Sequence, residues 1–260
     1  MTAVSIAGSD SGGGAGVQAD LLTFAAHGVH AATVVVAGTA QNTRGVLAVE
    51  AFSPRFVAAQ IDAVFSDLAP AAVKIGMLFG PRHVRAVAAG LRRHGAGNVV
   101  LDPVLASTGG VPLLSPAGIR ALQTELLPLC DVVTPNLEEA AVLAGFAVET
   151  PDESRRAARK ISTLGPRAVL VKGGHGPGER IVDVLWTGRR FRVFEARRLP
   201  TAATHGTGCT LSAAIVANLA LGHGLEGAVE RAIRYLRASL RRGYFPGGGD
   251  GVPGHRPSGK

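Results

Sequence analysis

Short apolar runs alternate along the chain with longer segments in which apolar residues recur at helical spacing. The short runs predict β-strands, and the longer segments predict amphipathic helices. The predicted strands cover residues 4–7, 33–37, 46–52, 73–76, 99–102, 132–134, 169–172, 181–186 and 191–195. The first predicted helix ends near residue 27, and the others span residues 54–68, 81–94, 116–126, 137–144, 153–164, 207–221 and 225–242.

This alternation of apolar strands and helices is typical of a mostly parallel sheet covered by helices on both faces. The sequence therefore predicts an α/β fold of three layers. Residues 187–190 predict a hairpin between the last two strands. Residues 1–243 are expected to form one domain because no long linker divides them. Residues 244–260 are rich in Gly and Pro and are expected to form a loose tail.

The charge balance narrows the choice of partners. The 260-residue chain carries a formal net charge of +8, which attracts phosphate groups, including those of ATP and of nucleic acids. Aromatic residues make up only 5% of the chain, and none lies between the basic residues. A base-stacking surface is therefore absent from the pattern, and we expect no nucleic-acid partner.

Hydrophobicity and cysteine usage bear on the expected location. No apolar run approaches the roughly 20 residues that a helix needs to cross a bilayer, and residues 1–6 do not resemble a signal peptide. The two cysteines, Cys130 and Cys209, lie far apart and have no metal-binding spacing. We expect a cytoplasmic protein with no membrane partner.

A glycine-rich run at residues 8–16 follows the first predicted strand and opens a helix. Ligands of parallel sheets gather at the carboxyl ends of strands, and the N–H groups of such a loop can face an anion. The run is not a Walker A loop, because no Gly-Lys-Ser/Thr follows it. A tight turn into the helix is an equally good interpretation.

A second glycine-rich segment, Gly206-Thr207-Gly208-Cys209, leads directly into a predicted helix. Amides at a helix start stabilise negative charge on a phosphoryl group that is being transferred. A thiol in the first helical turn tends to have a lowered pKa. Cys209 is therefore a candidate general base toward a substrate hydroxyl. The alternative is a small buried cysteine that packs the helix.

Four further polar residues lie at the ends of predicted strands or in the helix turn that follows. Asn136 and Glu139 share a helical face and offer oxygen ligands for Mg²⁺, or else they form an N-cap with its partner. Asp102 is either a ligand to metal-bound water or a strand-end cap. Lys172 either pairs with nucleotide phosphates or is a surface lysine.

In combination, these motifs resemble the hydroxymethylpyrimidine/phosphomethylpyrimidine kinases of thiamine biosynthesis, within the ribokinase-like superfamily. The matching stretches run in order across most of the chain. They are residues 6–20, 40–46, 74–78, 102–104, 134–140, 172–175 and 204–214.

The resemblance implies a ribokinase-like three-layer sandwich that phosphorylates a pyrimidine alcohol, 4-amino-5-hydroxymethyl-2-methylpyrimidine, and then its monophosphate, with ATP and Mg²⁺. It also implies a homodimer. For the substrate, it implies that Asp20 and Gln41 hydrogen-bond the aminopyrimidine, that Met77 packs on the ring, and that Gly8 lies in the binding loop.

For the phosphate side, the resemblance implies an anion hole formed by Gly206, Thr207, Gly208 and Cys209. It further implies a nucleotide-binding set, which consists of Lys172, Asp102, Asn136, Glu139 and His205. The residues implied for the metal are Glu139, Asn136 and Asp102.

The chain departs from the family pattern at three places. Gly109 stands where a serine is usual, Ala203 stands where an asparagine is common, and residues 247–253 form a degraded version of a glycine-rich motif. These departures prompt one alternative, a catalytically weak pyrimidine-binding module. The other alternative is a pyridoxal kinase, because pyridoxal also carries a hydroxymethyl group on an aromatic nitrogen ring.

Overall fold

The computed structural model describes residues 1–106, 112–174, 176 and 178–255. Gly109 and His175, which belong to motifs of the sequence, lie outside these described residues. The strands are β1 (Thr2–Asp10), β2 (His30–Asn42), β3 (Gly45–Ala51), β4 (Ala72–Ile75), β5 (Val99–Leu101), β6 (Val132–Val133), β7 (Ala168–Val171), β8 (Arg180–Trp186) and β9 (Phe191–Arg197).

The helices alternate with the strands, as the sequence predicts. They are α1 (Gly16–Ala26), α2 (Pro54–Leu68), α3 (Pro81–Arg93), α4 (Pro116–Ala121), α5 (Leu137–Ala144), α6 (Pro151–Ser162), α7 (Thr207–Ala220) and α8 (Leu225–Arg241). The helix predicted at residues 116–126 is only partly α-helical. The α-helix ends at Ala121, and residues Leu122–Leu126 form a π-helical turn directly after it. In the described part of the chain, no helix combines the length and apolar character that crossing a bilayer requires.

The strands form one sheet in the order β3-β2-β1-β4-β5-β6-β7-β8-β9. Neighbouring strands from β2 to β7 in this order are parallel, whereas β3, β8 and β9 pair antiparallel at the two edges. The hairpin between β8 and β9 is confirmed. The expectation of a mostly parallel sheet is also confirmed.

Two apolar clusters pack on opposite faces of the sheet. Alternate residues of one strand point to opposite sides, so Val99 and Leu101 of β5 join one cluster while Val100 joins the other. The first cluster includes buried residues of α2, α3, α5 and α6, and the second includes those of α1, α7 and α8. This arrangement confirms the predicted three-layer α/β sandwich.

The segment after α8 differs from the loose tail that the sequence predicts. Residues 251–254 are buried. Tyr244 and Val252 pair as an antiparallel bridge and exchange both backbone hydrogen bonds, with N···O distances of 3.1 and 2.9 Å. Glycine allows this packing because its backbone can approach neighbouring segments that a side chain would keep away.

Candidate active site

The start of α7 lies against the first glycine-rich loop. Gly206 precedes α7 with a left-handed φ of 80°, and a Cβ at this position would collide with the carbonyl oxygen of Gly14. The N–H of Thr207 donates to the carbonyl of Thr204 at 3.2 Å. In the first turn of a helix the N–H groups have no intrahelical acceptor. The tip of α7 (residues 206–209, named here the α7 tip) therefore offers the N–H groups of Gly208 and Cys209 but not that of Thr207.

The amides of the first loop are held by its own aspartate. The carboxylate of Asp10, at the end of β1, accepts hydrogen bonds from the N–H groups of Gly12, Gly14 and Ala15 at 2.8, 3.1 and 2.9 Å. Burial by itself raises the pKa of Asp10, but hydrogen bonds from His205 and Gly12 outweigh that effect and lower it. These contacts favour the interpretation of the loop as a tight turn over that of an anion cradle.

His205 lies beside Gln41, one of the predicted substrate residues. Its Nε2 atom is 3.0 Å from Oδ2 of Asp10 and 3.3 Å from Nε2 of Gln41. The side-chain Oε1 of Gln41 accepts a hydrogen bond from Thr39 at 3.1 Å. The resemblance assigns His205 to the nucleotide, whereas the structure places its ring against the strand that carries Gln41.

Asp20 is sealed inside the protein. The carboxylate is 0% exposed, and its Oδ2 lies 2.8 Å from Nζ of Lys74, which is also 0% exposed. Burial alone would lower the pKa of Lys74, but the charge of Asp20 outweighs it and raises the pKa, so the lysine stays charged. Among the described residues, the other oxygen of Asp20, Oδ1, is buried without a hydrogen-bond partner, so the predicted hydrogen bond between Asp20 and the aminopyrimidine stays a prediction.

Cys209 lies in the first turn of α7 and is partly exposed. Its thiol lies near the N–H of Gly16, which opens α1. Burial raises the pKa of the thiol to about 11, although the positive charge of Lys74 opposes the rise. The expectation of a lowered pKa is therefore wrong for the free protein, in which desolvation and the charges of Asp20 and Asp102 raise the pKa of the thiol.

Asp102 and Lys172 form an ion pair next to the α7 tip. These residues follow β5 and β7, and the distance from Nζ to Oδ1 is 2.7 Å. Thr134 donates a further hydrogen bond to Asp102 at 3.2 Å. A Cβ at Gly208 would lie 3.2 Å from Oδ2 of Asp102 and 3.3 Å from Nζ of Lys172. The absence of a side chain at Gly208 leaves room directly beside this pair.

Asn136 and Glu139 form the N-cap that the sequence left as an alternative. Each side chain accepts a hydrogen bond from the other residue's backbone N–H at 2.8 Å, which completes a capping box at the start of α5. Burial raises the pKa of Glu139 to about 7, and the nearby charge of Lys172 opposes that rise. Capping occupies one oxygen of each side chain, so any metal ligation by this pair depends on Glu139 Oε1 or on water.

The structure adds polar residues that sequence reasoning missed. Asp183 in β8 accepts a hydrogen bond from the N–H of Gly173 at 2.8 Å. The Arg198 guanidinium donates to three carbonyl groups of the loop between β7 and β8, at 2.6, 2.5 and 3.0 Å. The sequence did hold a sign of Lys74 and Asp183, because each is a charged residue between apolar neighbours in the interior of a strand.

The buried charge of Asp183 predicts a pH effect on stability. Burial raises its pKa to about 6 from an ordinary value of 3.8. The folded state therefore binds this proton more tightly, and the corresponding stability is lost as pH rises from about 4 to about 6. We expect Asp183→Asn, which keeps an acceptor for Gly173, to show a smaller loss in urea unfolding over this range. Asp152→Asn is the control, since Asp152 is 86% exposed. An unchanged profile in Asp183→Asn would contradict the assignment.

Two solved structures that are similar to this chain are kinases of small molecules. A Bacillus subtilis pyridoxal kinase in an ADP complex superposes with a TM-score of 0.90 at 34% identity, covering 98% of this chain and 96% of that chain. A phosphomethylpyrimidine kinase from Clostridium difficile 630 gives a TM-score of 0.82 at 41% identity, covering 91% of this chain and 98% of that chain. The fold and the site define a ribokinase-like kinase, that is, a phosphotransferase.

Sequence comparison identifies the family within this class. A family model described as "Phosphomethylpyrimidine kinase" matches residues 10–253. A hydroxymethylpyrimidine/phosphomethylpyrimidine kinase of Rhizobium meliloti (strain 1021) is 54% identical over 243 residues, which are 92% of this chain and 91% of that protein. The chain belongs to the phosphomethylpyrimidine kinase family, and the resemblance stated from its motifs is confirmed.

Proposed function

We propose that this chain uses ATP to phosphorylate 4-amino-5-hydroxymethyl-2-methylpyrimidine and then its monophosphate. One observation carries the proposal. The α7 tip touches the first glycine-rich loop at Gly14 and adjoins the ion pair of Asp102 and Lys172 at Gly208. An alcohol bound near the loop and a phosphate bound near the ion pair would meet at the tip.

At the pyrimidine end, we assign direct contacts to Gln41 and Met77. Both side chains are partly exposed. An amide can both donate to and accept from an aminopyrimidine edge. A Cβ at Gly8 would lie 3.1 Å from Cε of Met77, so glycine at this position makes room for the methionine against β1. Asp20, whose Oδ2 pairs with Lys74, would accept a hydrogen bond from the exocyclic amine at its unpartnered Oδ1.

At the nucleotide end, the side chains fit a magnesium–ATP complex without enclosing the metal. Among the described residues, no three His, Cys, Asp or Glu side chains form a metal-binding group. Mg²⁺ commonly takes one or two carboxylates together with waters and substrate phosphates, and Asp102 and Glu139 supply two carboxylates beside Lys172. Bound Mg²⁺ would neutralise phosphate charge. Lys172 would orient those phosphates, and Asn136 would hold Glu139 in place.

The α7 tip would carry the chemical step. The N–H groups of Gly208 and Cys209 would stabilise the charge that develops on the transferring phosphoryl group. Because the thiol is protonated at neutral pH, it would first release its own proton to water. The Cys209 thiolate would then accept the hydroxymethyl proton while the substrate oxygen bonds to the γ-phosphorus of ATP. The bond from that phosphorus to the β–γ bridging oxygen would break, and ADP would leave.

An ADP-release assay tests this proposal. Purified chain with MgATP receives the pyrimidine alcohol, its monophosphate or pyridoxal, and phosphorylated products are identified by mass spectrometry. We expect ADP release with both pyrimidines and much slower release with pyridoxal. Tight pyrimidine binding without ADP release would support a binding module instead, and faster turnover of pyridoxal would support a pyridoxal kinase.

We also propose that the enzyme is a cytoplasmic homodimer that requires neither nucleic acid nor a membrane. Family resemblance is the support for this assembly. Sedimentation equilibrium of the purified chain tests it, and a monomer mass at the enzyme concentration of the assay would contradict it.

A further inference from the structure

Residues 244–255, named here the C-terminal strap, form a closed loop after α8. Its ends are joined by the bridge between Tyr244 and Val252. The N–H of Gly254 donates to the carbonyl of Ser239 at 3.0 Å, which ties the strap back to α8. His255 Nδ1 lies 3.1 Å from the Tyr235 hydroxyl. The strap is thus anchored at its base.

The first contact of the strap with the site is at the entry to α7. The N–H of His205 donates to the carbonyl of Gly251 at 3.1 Å. His205 immediately precedes Gly206, whose conformation starts the tip. Val252 packs on the first loop so closely that a Cβ at Gly14 would lie 2.7 Å from Cγ1 of Val252. The strap therefore contacts both glycine-rich segments, one at Gly14 and the other at its entry residue His205, and holds them together.

The second contact is with the turn between β2 and β3. The N–H of Asp250 donates to the carbonyl of Thr43 at 2.8 Å, and the N–H of Gly249 donates to its hydroxyl at 3.1 Å. A Cβ at Gly249 would collide with the Thr43 carbonyl. Since Thr43 lies two residues beyond Gln41, these bonds fix the end of the strand that carries Gln41.

Only a small side chain fits at position 203, because Ala203 packs tightly against the strap and the residue before it. Ala203 is 1% exposed. A Cβ at Gly243 would collide with Cβ of Ala203, and a Cβ at Gly251 would lie 2.9 Å from Cα of Ala203. Ala203 therefore packs against Gly251 of the altered C-terminal motif and against Gly243 just before the strap, so the two departures share one packing arrangement.

We propose that the C-terminal strap is a positioning element of the active site, which sets His205 and the Thr43 turn and thereby the pyrimidine end of the site. This inference rests on the proposed function. The strap contacts described above involve the loop, the α7 entry and the β2–β3 turn, whereas Asp102 and Lys172 are held by other elements. Displacing the strap should therefore weaken use of the pyrimidine more than use of ATP.

Gly243→Ala tests the proposal, because its Cβ meets Ala203 first and then the carbonyl oxygens of Leu240 and Val252 at 3.1 and 3.2 Å. We expect kcat/KM for the pyrimidine to fall by about 10- to 100-fold, as small displacements of positioning groups do, with KM for ATP nearly unchanged. Adding Ala203→Gly removes the closest contact and should restore most of the loss. Gly227→Ala is the control, because a Cβ there meets open space.

Two outcomes would overturn the proposal. One is an equal rise in both KM values, and the other is a lowered Tm without any kinetic change; either would make the strap a purely structural clamp. Hydrogen exchange supplies a readout that needs no turnover. In Gly243→Ala we expect faster exchange in peptides covering residues 41–45 and 203–208. If the unmodified enzyme does not phosphorylate a pyrimidine, the proposed function is wrong. If exchange in these peptides is unchanged in Gly243→Ala, the strap proposal is wrong, whatever the substrate of the enzyme.

Discussion

Replacing Cys209 with alanine is expected to lower kcat for the pyrimidine by about 100-fold or more, the typical contribution of a positioned general base. The sulfur lies in the first turn of α7, near the N–H of Gly16, at the junction of the two glycine-rich segments. Steady-state ADP release at saturating MgATP measures the loss. Cys130→Ala is the matched control, because Cys130 is buried in the core. It should lower Tm while leaving kcat intact.

The pH profile separates a base from a packing residue. Burial raises the pKa of Cys209 to about 11. At any pH well below that value, the thiolate fraction increases about tenfold when the pH is raised by one unit. The kcat/KM of the unmodified enzyme should therefore rise between pH 7 and 9, and Cys209→Ala should lose that rise. A variant with the same slope and a rate within about threefold of the unmodified enzyme would remove Cys209 from proton transfer.

Local patterns were sufficient to predict the fold because they reflect burial in the sheet. The apolar runs at residues 73–76 and 99–102 correspond closely to β4 and β5, whose side chains are buried on both faces. The strap could not be predicted in this way. Its bonds join Thr43 to Asp250 across about two hundred residues, and no local periodicity reports on such a pairing.

The candidate site shows the same division between local and long-range information. A helix start with two glycines was visible in the sequence, and so was Asp102 at a strand end. Which carboxylate would neutralise Lys74 was not visible, and the structure gives this role to Asp20. The pKa of Cys209 was predicted from the helix dipole alone, because desolvation by residues from distant parts of the chain leaves no mark near position 209.

The contact between Asp102 and Lys172, which are distant in sequence, also explains why position 208 in the α7 tip carries no side chain. Asp102 and Lys172 meet only because parallel strands bring their carboxyl ends to one edge of the sheet. Gly208 faces this pair without a side chain, and its N–H is one of the two that the tip offers. The space beside Gly208 is therefore where the proposed function needs the transferring phosphoryl group to pass.

Gly208→Ala is expected to lower kcat by about 10²- to 10³-fold, comparable to loss of one stabilising donor in an anion hole. The new Cβ would lie 3.2 Å from Oδ2 of Asp102 and 3.3 Å from Nζ of Lys172, in the space proposed for the phosphoryl group. Alanine is also favoured over glycine inside a helix by about 0.5–1 kcal/mol. Because this gain opposes the cost of the close contact with the ion pair, Tm should stay nearly the same while activity is lost, which distinguishes this change from unfolding.

Gly227→Ala is again the matched control, because Gly227 lies in the first turn of α8, where a Cβ meets nothing within contact distance. It makes the same chemical change at the same place in a helix, so both kcat and KM should keep their original values. Near-normal kcat in Gly208→Ala would mean that the methyl group occupies space the reaction does not use. The phosphoryl group would then have to pass elsewhere, and the α7 tip would lose its assigned role even if the enzyme phosphorylates the pyrimidine.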